Sequence, residues 1–421
     1  MQNKKYYIIT IGCQMNKSDS ERIAGYLNKL GFKETAETRR ANLVVLTTCG
    51  VRQSAEDRIY GLAPKIKKEN KKVKIVITGC LSGREDVKRR LKKYVDIWLP
   101  ITELDSLAEK LGLKKKENSS LSGYLAISPK YDSSSSAFVP IGNGCDNFCS
   151  YCVVPYARGR EVYRPAEEIV SEVKNLIKRG YKEIILIAQN VNSYKSRIAA
   201  NTKTNHHELS FAGLLKMVNS IPGDFWIRFS TSHPKDMSDD LIAAVADCEK
   251  VCEHIHLPIQ SGDNEILRRM NRKYTREHYV SLIKKISKHI PEASITTDII
   301  VGFPGETKKQ FNETAKLFRE VKFDMAYISK YSPRPNTAAF KFKDNIRKEE
   351  KKRREEELLK ILRKTASDNS KKYIGKIVEV LVEGKNKKGE WFGKTRTSEQ
   401  IRIKKTVNSK QEIEIGIFYI V

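Results

Sequence analysis

At 421 residues the chain is long enough for two or three domains that bury cores without disulfide help, so its 8 cysteines need another explanation. No apolar run is long enough to span a bilayer, and the opening Met-Gln-Asn-Lys-Lys-Tyr-Tyr-Ile-Ile-Thr enters a strand pattern with no signal-peptide cleavage region, which excludes a membrane span and predicts a cytosolic protein. The 79 Lys+Arg against 51 Asp+Glu give a net charge of +28 spread along the chain, which points to a polyanionic partner, although basic residues that only solvate helix faces, as over 347–364, contribute to it.

The first hundred residues repeat one pattern three times: an apolar strand, a cysteine, then an amphipathic helix. Strands over 6–13, 42–49 and 73–80 end on Cys13, Cys49 and Cys80, and helices are expected around 20–30, 53–68 and 84–94, with a further strand at 95–99. This alternation predicts a parallel sheet, whose ligand sites lie beyond the carboxyl ends of the strands. The three cysteines sit at that edge, 36 and 31 residues apart, or about one strand-helix unit each. Neighbouring strands would therefore bring the thiols together, whereas a single buried cysteine would serve only as a small hydrophobe.

A polar, serine-bearing stretch over 114–136 reads as a linker. Beyond it, strand-like runs over 138–142, 183–190, 225–232, 254–261, 295–303 and 323–331 alternate with helices, and six such units imply an open, partial barrel with its active site at the carboxyl ends of the strands. A charged helix over 346–366 carries Leu358, Leu359, Ile361 and Leu362 and is expected to brace the barrel. From residue 374 the chain turns to short β runs, the last at 412–421, which predict a small β-barrel. Over 370–421 there are 12 Lys+Arg against 6 Asp+Glu, and Trp391 and Phe392 stand among them, a composition suited to phosphate contact and base stacking.

Cys145, Cys149 and Cys152 stand in Gly-Asn-Gly-Cys-Asp-Asn-Phe-Cys-Ser-Tyr-Cys-Val-Val-Pro, three thiols within eight residues after the flexible Gly142 and Gly144. Three thiolates on one loop hold three corners of an iron-sulfur cube and leave the fourth iron open. A structural zinc site uses four closed ligands, and no nearby histidine or second cysteine pair completes one here. Cys248 and Cys252 lack partners at ligand spacing and read as packing residues, and His206 and His207, in a polar insertion, read as solvent-exposed.

The Cys145-x3-Cys149-x2-Cys152 loop followed by a six-unit partial barrel resembles the radical S-adenosylmethionine superfamily. The run from Gly144 to Arg160, the three amino-terminal cysteines and the final β module resemble its methylthiotransferase branch, as do Ala188-Gln-Asn-Val-Asn-Ser-Tyr194, Cys252-Glu-His-Ile-His-Leu-Pro-Ile-Gln-Ser-Gly262 and Asp298-Ile-Ile-Val-Gly-Phe-Pro-Gly-Glu-Thr307. The resemblance covers almost the whole chain. It implies an α/β fold with an N-terminal parallel α/β domain over 1–115, a linker over 116–136, a central (βα)6 TIM-like radical SAM barrel over 137–368, and a C-terminal antiparallel TRAM β-barrel over 369–421 that binds RNA.

The same resemblance implies an enzyme that methylthiolates C2 of N6-dimethylallyladenosine at position 37 of tRNA, next to the anticodon. Two 4Fe-4S clusters are implied: one on Cys145, Cys149 and Cys152, whose open iron binds S-adenosylmethionine, and one on Cys13, Cys49 and Cys80, which carries sulfur. Gln189, Asn190, Gln260, Ser261, Asp298, Gly302 and Gly305 become candidate cofactor contacts, although the last five also suit tight turns and strand-end backbone groups. Arg158, Arg160, Trp391, Lys394 and Arg396 become candidate RNA contacts. An external electron donor is required, and a monomer without membrane attachment is expected. Two other readings keep part of this picture. One is a methylthiotransferase for threonylcarbamoyl-adenosine in tRNA or for a ribosomal-protein aspartate, and the other is a non-enzymatic RNA-binding iron-sulfur sensor.

Overall fold

Every residue of strand Leu43–Thr48 is buried, as the near-continuous apolar run of a parallel sheet covered on both faces requires. In the computed structural model, which describes residues 4–113, 123–198, 207–403 and 413–421, this strand is the centre of a five-stranded sheet. Its order is Lys33–Glu34, Lys5–Thr10, Leu43–Thr48, Lys74–Gly79 and Ile97–Leu99, and every pairing is parallel. Successive side chains point to opposite faces: Leu43 and Val45 pack with Ile23 and Leu27 of helix Gln14–Lys29, while Val44 and Leu46 pack with Ile59, Ala63 and Ile66 of helix Gln53–Glu69.

The chain divides into two compact units. Residues 1–132, 142–162 and 332–340 form the first, and residues 133–141, 163–331 and 341–421 the second. The first unit corrects two expectations. Helix Gln14–Lys29 starts directly after Cys13 instead of near residue 20, because Asn16, Ser18, Asp19, Ser20 and Glu21, polar enough to read as loop, are all buried. Part of the expected linker is core: Tyr124, Leu125 and Ile127 pack in the same cluster as Leu43, while residues 114–122 lie outside the described ones.

In the second unit the six expected barrel strands are present as Ser136–Pro140, Glu183–Ile187, Trp226–Ser230, His254–His256, Ser294–Val301 and Met325–Lys330. The first three form one parallel sheet and the last three another. The two meet where Ile227 N donates to Lys250 O at 2.7 Å and Cys252 N to Ile227 O at 2.9 Å, so the strands follow chain order around an open, partial barrel. The fourth strand is shorter than expected, and the chain turns at Gln260, whose φ is 76°. Helix Lys348–Ser370 packs on the sixth strand and buries Leu358 and Leu362. The polar insertion contains the antiparallel strands Lys195–Ile198 and His207–Ser210, and His206 lies outside the described residues.

The last strands form a four-stranded antiparallel sheet in the order Gln400–Ile403, Trp391–Thr395, Glu379–Lys385 and Phe418–Ile420. Its final strand begins at Phe418, and Glu412, where that run was expected to begin, lies outside the described residues. Leu381 packs with Trp226 and Cys252 of the barrel, and the Phe418 and Trp226 rings lie 4.8 Å apart, so Cys252 is a packing residue as expected. Among the described residues no helix is long and apolar enough to cross a membrane.

Candidate functional site

Thr48 and Gly79 end adjacent parallel strands, and Cys49 and Cys80 follow them directly. Cys80 N donates to Thr48 O at 2.9 Å, which aligns the two turns, and Cys13 leaves the neighbouring strand Lys5–Thr10 after three residues. Two glycines permit the approach. A Cβ at Gly12 would stand 2.8 Å from Cys49 Cβ, and one at Gly50 would stand 3.1 Å from Cys80 Cβ. The structure thus gathers the turns of Cys13, Cys49 and Cys80 at one sheet edge.

The loop of Cys145, Cys149 and Cys152 belongs to the same compact unit. Cys152 N donates to Cys149 O at 2.9 Å, Asn147 Nδ2 to Cys145 Sγ at 3.5 Å, and Ala339 N to Ser150 O at 2.7 Å. The Gly50 position is also 3.1 Å from Cγ1 of Val153, the residue after Cys152, so the two cysteine triads are neighbours. Residue spacing alone carries no sign of this contact.

The donor chemistry fits clusters. Burial, and after it the Cys80 sulfur, raises the Cys49 thiol above its ordinary range. Burial pushes Cys145 up to about 11 against the pull of the Asn147 amide, and burial, then Cys149, raises Cys152. Crowded, desolvated sulfurs of this kind become stable thiolates only beside a strong cation. Among the described residues no three Cys, His, Asp or Glu side chains meet at one point as a single ion would require. A cluster instead binds each cysteine through a different iron and spreads its ligands more widely.

Arg158 corrects an expectation. It is not displayed for cofactor or RNA: its side chain is 2 % exposed, and Nη2 donates to Asp19 Oδ2 at 2.6 Å and Asn16 Oδ1 at 3.0 Å. Arg160 is exposed, although its Nε and Nη2 already hold Asp146 at 2.6 and 2.9 Å.

In the barrel, Asn190 lies in the loop after the second strand and is 3 % exposed. Its Nδ2 donates to Asp236 Oδ2 at 2.7 Å, while its Oδ1 is buried without a partner among the described residues. Ser232 Oγ and His233 Nε2, just past the third strand, are likewise buried and unpartnered there. Sequence reasoning missed these two. The polar run Ser230-Thr-Ser-His233, which begins on the last residue of strand Trp226–Ser230, was the signal available. Orphaned polar atoms at the carboxyl ends of barrel strands suit a polar small molecule. Gln189 is half-buried, and its carbonyl accepts from Thr231 Oγ1 at 3.0 Å. Asp298 stands 3.4 Å from His256 Nε2.

Four further cofactor candidates make hydrogen bonds within the fold. Gln260 is 8 % exposed and its backbone forms a bridge, N to Asp298 O at 2.9 Å and O from Ile300 N at 3.0 Å. Ser261 is fully buried, with its Oγ accepting from Asp263 N at 3.3 Å. Gly302 N is committed to Glu306 Oε2 at 2.8 Å and Gly305 N to Asn345 Oδ1 at 2.9 Å, with Lys351 and Arg269 side chains against the two turns.

Two of the C-terminal RNA candidates are also engaged. Arg396 holds Glu253 at 2.7 to 3.0 Å and Val251 O at 2.7 Å, and Lys394 is paired with Glu383. Trp391 is half-buried, and Lys385 Nζ lies 4.6 Å from its ring centroid. The following Lys387 and Lys388 are exposed at the same hairpin tip.

Comparison with known proteins agrees with this architecture. Residues 139–318 match the Radical SAM superfamily, residues 5–100 the uncharacterized protein family UPF0004, and residues 371–417 the TRAM domain. The tRNA-2-methylthio-N(6)-dimethylallyladenosine synthase of Clostridium botulinum (strain Langeland) is 44% identical over 416 residues, covering 94% of this chain and 90% of that protein. The enzyme of that name from Caldicellulosiruptor saccharolyticus is 42% identical over 421 residues, covering 96% and 87%. A solved radical S-adenosylmethionine methyltransferase from Kitasatospora setae shares the fold with a TM-score of 0.57 at 11% identity, covering 80% of this chain and 75% of that one. The Radical SAM match brings with it a 4Fe-4S cluster and S-adenosylmethionine. Identity of this degree over nearly the whole length, on a chain with a radical SAM barrel and a TRAM sheet, is decisive: the chain belongs to the radical SAM family of tRNA-2-methylthio-N(6)-dimethylallyladenosine synthases.

Proposed function

We propose that this enzyme methylthiolates C2 of N6-dimethylallyladenosine at position 37 of tRNA with two clusters, one on Cys145, Cys149 and Cys152 and a second on Cys13, Cys49 and Cys80. The observation that carries this reading is the adjacency of two three-cysteine sets in one compact unit, with Gly50 against both Cys80 and Val153. The C2–H bond of an adenine has no useful acidity, so a side-chain base cannot open it. When bound, the clusters and S-adenosylmethionine would supply radical hydrogen abstraction, the inserted sulfur and the methyl group.

The chain's own residues bind and orient. Cys145, Cys149 and Cys152 would hold one cluster with one ligand fewer than four, and the amino and carboxylate groups of the cofactor would take the remaining position. Asn190, whose Oδ1 is buried and unpartnered among the described residues, is retained as a candidate cofactor contact, and Ser232 and His233 add buried polar atoms just past the third strand. Gln189 and Asp298 are retained as candidate contacts. For RNA we assign the exposed Lys385, Lys387 and Lys388 hairpin with Trp391, and Arg160 near the loop. The enzyme acts as a cytoplasmic monomer with an external one-electron donor.

Anaerobic reconstitution tests the reading. The full chain should take up about 8 irons, as two four-iron clusters require, form 5′-deoxyadenosine under reduction, and convert dimethylallyl-tRNA to its methylthio form by nucleoside mass spectrometry. Uptake of a single cluster, or no methylthio product from fully loaded protein, would overturn it.

A further inference from the structure

Arg158 closes the segment that carries Cys145, Cys149 and Cys152, yet its guanidinium ends on the helix that follows Cys13. Nη1 donates to Asn143 Oδ1 at 3.0 Å, and Nη2 reaches Asn16 Oδ1 and Asp19 Oδ2. Asn143 Nδ2 returns to Arg158 O at 3.1 Å, and Tyr124 OH donates to Asn143 Oδ1 at 3.0 Å. Asn16 fixes the turn before the first cysteine: its Nδ2 donates to Ile11 O at 2.7 Å, and its Oδ1 lies 3.8 Å from Cys13 Sγ. Burial opposes the Arg158 charge, but Asp19 and then the Cys80 sulfur hold it ionised. A buried cation is weakly screened, and its field reaches the sulfurs around it.

We propose that Arg158 is a positioning residue for the strand-end triad: donated by the segment of one cysteine set, its cation sets the potential at Cys13 and Cys80 of the other and, through Asn16, fixes the Cys13 turn. This rests on the reading that Cys13, Cys49 and Cys80 hold a second cluster. Cluster reduction potentials follow net charge and hydrogen bonding around the sulfurs. A cation stabilises the more negative, reduced form and raises the potential, while the Asp19 carboxylate lowers it. The two partners therefore act with opposite sign, which a purely structural ion pair would not do.

The test is an EPR-monitored redox titration of the full chain carrying Cys145→Ala, Cys149→Ala and Cys152→Ala, so that only the strand-end cluster titrates. Arg158→Gln should shift its midpoint to more negative values, Asp19→Asn to more positive ones, and Arg158→Lys should stay near the parent. If Arg158→Gln does not load iron, the upward shift in Asp19→Asn and the retained value in Arg158→Lys still decide. Midpoints that do not move in loaded Asp19→Asn and Arg158→Gln, or that move in the same direction, overturn the proposal. If the parent with intact Arg158 binds no iron, the second-cluster reading itself fails.

Discussion

Arg396, in the turn after strand Trp391–Thr395, grips Glu253 at the edge of the barrel through contacts of 2.7 to 3.0 Å, and its Nη2 also donates to Val251 O. Arg228 completes the fastening from the barrel side: Nε holds Glu183 at 2.6 Å while Nη1 and Nη2 donate to Arg396 O and Thr395 O, each at 2.7 Å. The final sheet is thus bolted on by guanidinium groups around the apolar contact of Leu381, Trp226 and Cys252. Arg396→Ala leaves Glu253 in a half-buried position without its partner, and should cost about 1–3 kcal/mol of docking. Urea unfolding followed by tryptophan fluorescence, in a background carrying Trp98→Phe and Trp391→Phe so that Trp226 alone is read, should show the environment of that ring changing at lower denaturant than in the parent. An unchanged midpoint would remove Arg396 from this role.

The two cysteine sets should separate by function. Cys13→Ala or Cys49→Ala should leave reductive cleavage of S-adenosylmethionine within a few-fold of the parent and abolish the methylthio product. Cleavage and product are measured in the same reaction, by 5′-deoxyadenosine release and nucleoside mass spectrometry. Loss of cleavage in a well-folded Cys49→Ala protein would contradict the separation.

What sequence made legible and what it hid differ by the range of the interactions. Cys13, Cys49 and Cys80 could be paired in advance because strand, cysteine and helix recur at one unit's spacing, and a parallel sheet converts that spacing into adjacency. The six barrel strands were readable from local apolar runs for the same reason. The arginines were not. Arg158, Arg228 and Arg396 look from sequence like any cations on a strongly basic chain, and their partners Asp19, Thr395 and Glu253 lie 139, 167 and 143 positions away. Only folding shows that these charges are consumed internally. The buried face of helix Gln14–Lys29 was missed because it is polar, with Asn16 and Asp19 bonded to Arg158 and Ser20 to Thr47, where periodicity arguments look for apolar residues. At Gly302 and Gly305 the turn was legible, but the acceptors of its amides, Glu306 and Asn345, were not.

With Arg396 and Lys394 committed elsewhere, RNA affinity should rest on the exposed tip of the hairpin between strands Glu379–Lys385 and Trp391–Thr395. Lys387→Ala with Lys388→Ala should weaken tRNA binding and lower the slope of log K against log salt by about 1–2, one per lost phosphate contact. Trp391→Ala should weaken binding without that change in slope, since stacking releases no counterions. Filter binding across a salt series separates the two. A double-lysine variant with the parental slope would place the RNA surface elsewhere.

His233 should make the fold acid-sensitive. It is 5 % exposed, its Nδ1 accepts from Lys235 N at 3.3 Å, and Asn192 holds both its backbone groups, at 2.8 and 3.0 Å. Burial first, then Arg272 and Lys235, push its imidazole from the ordinary 6.5 down to about 2. Between these values the unfolded chain binds a proton at this site that the folded chain does not. Stability from this group is therefore fully present above pH 6.5 and is lost as pH falls, by about 1.4 kcal/mol per unit. His233→Asn removes the titrating ring. It should cost some packing at every pH, yet its unfolding free energy, measured by urea at pH 4.5, 5.5, 6.5 and 7.5, should fall less steeply than the parent's by one proton. Other titrating groups cancel in the difference, so parallel pH profiles for the two proteins would show that His233 is not held neutral in the fold.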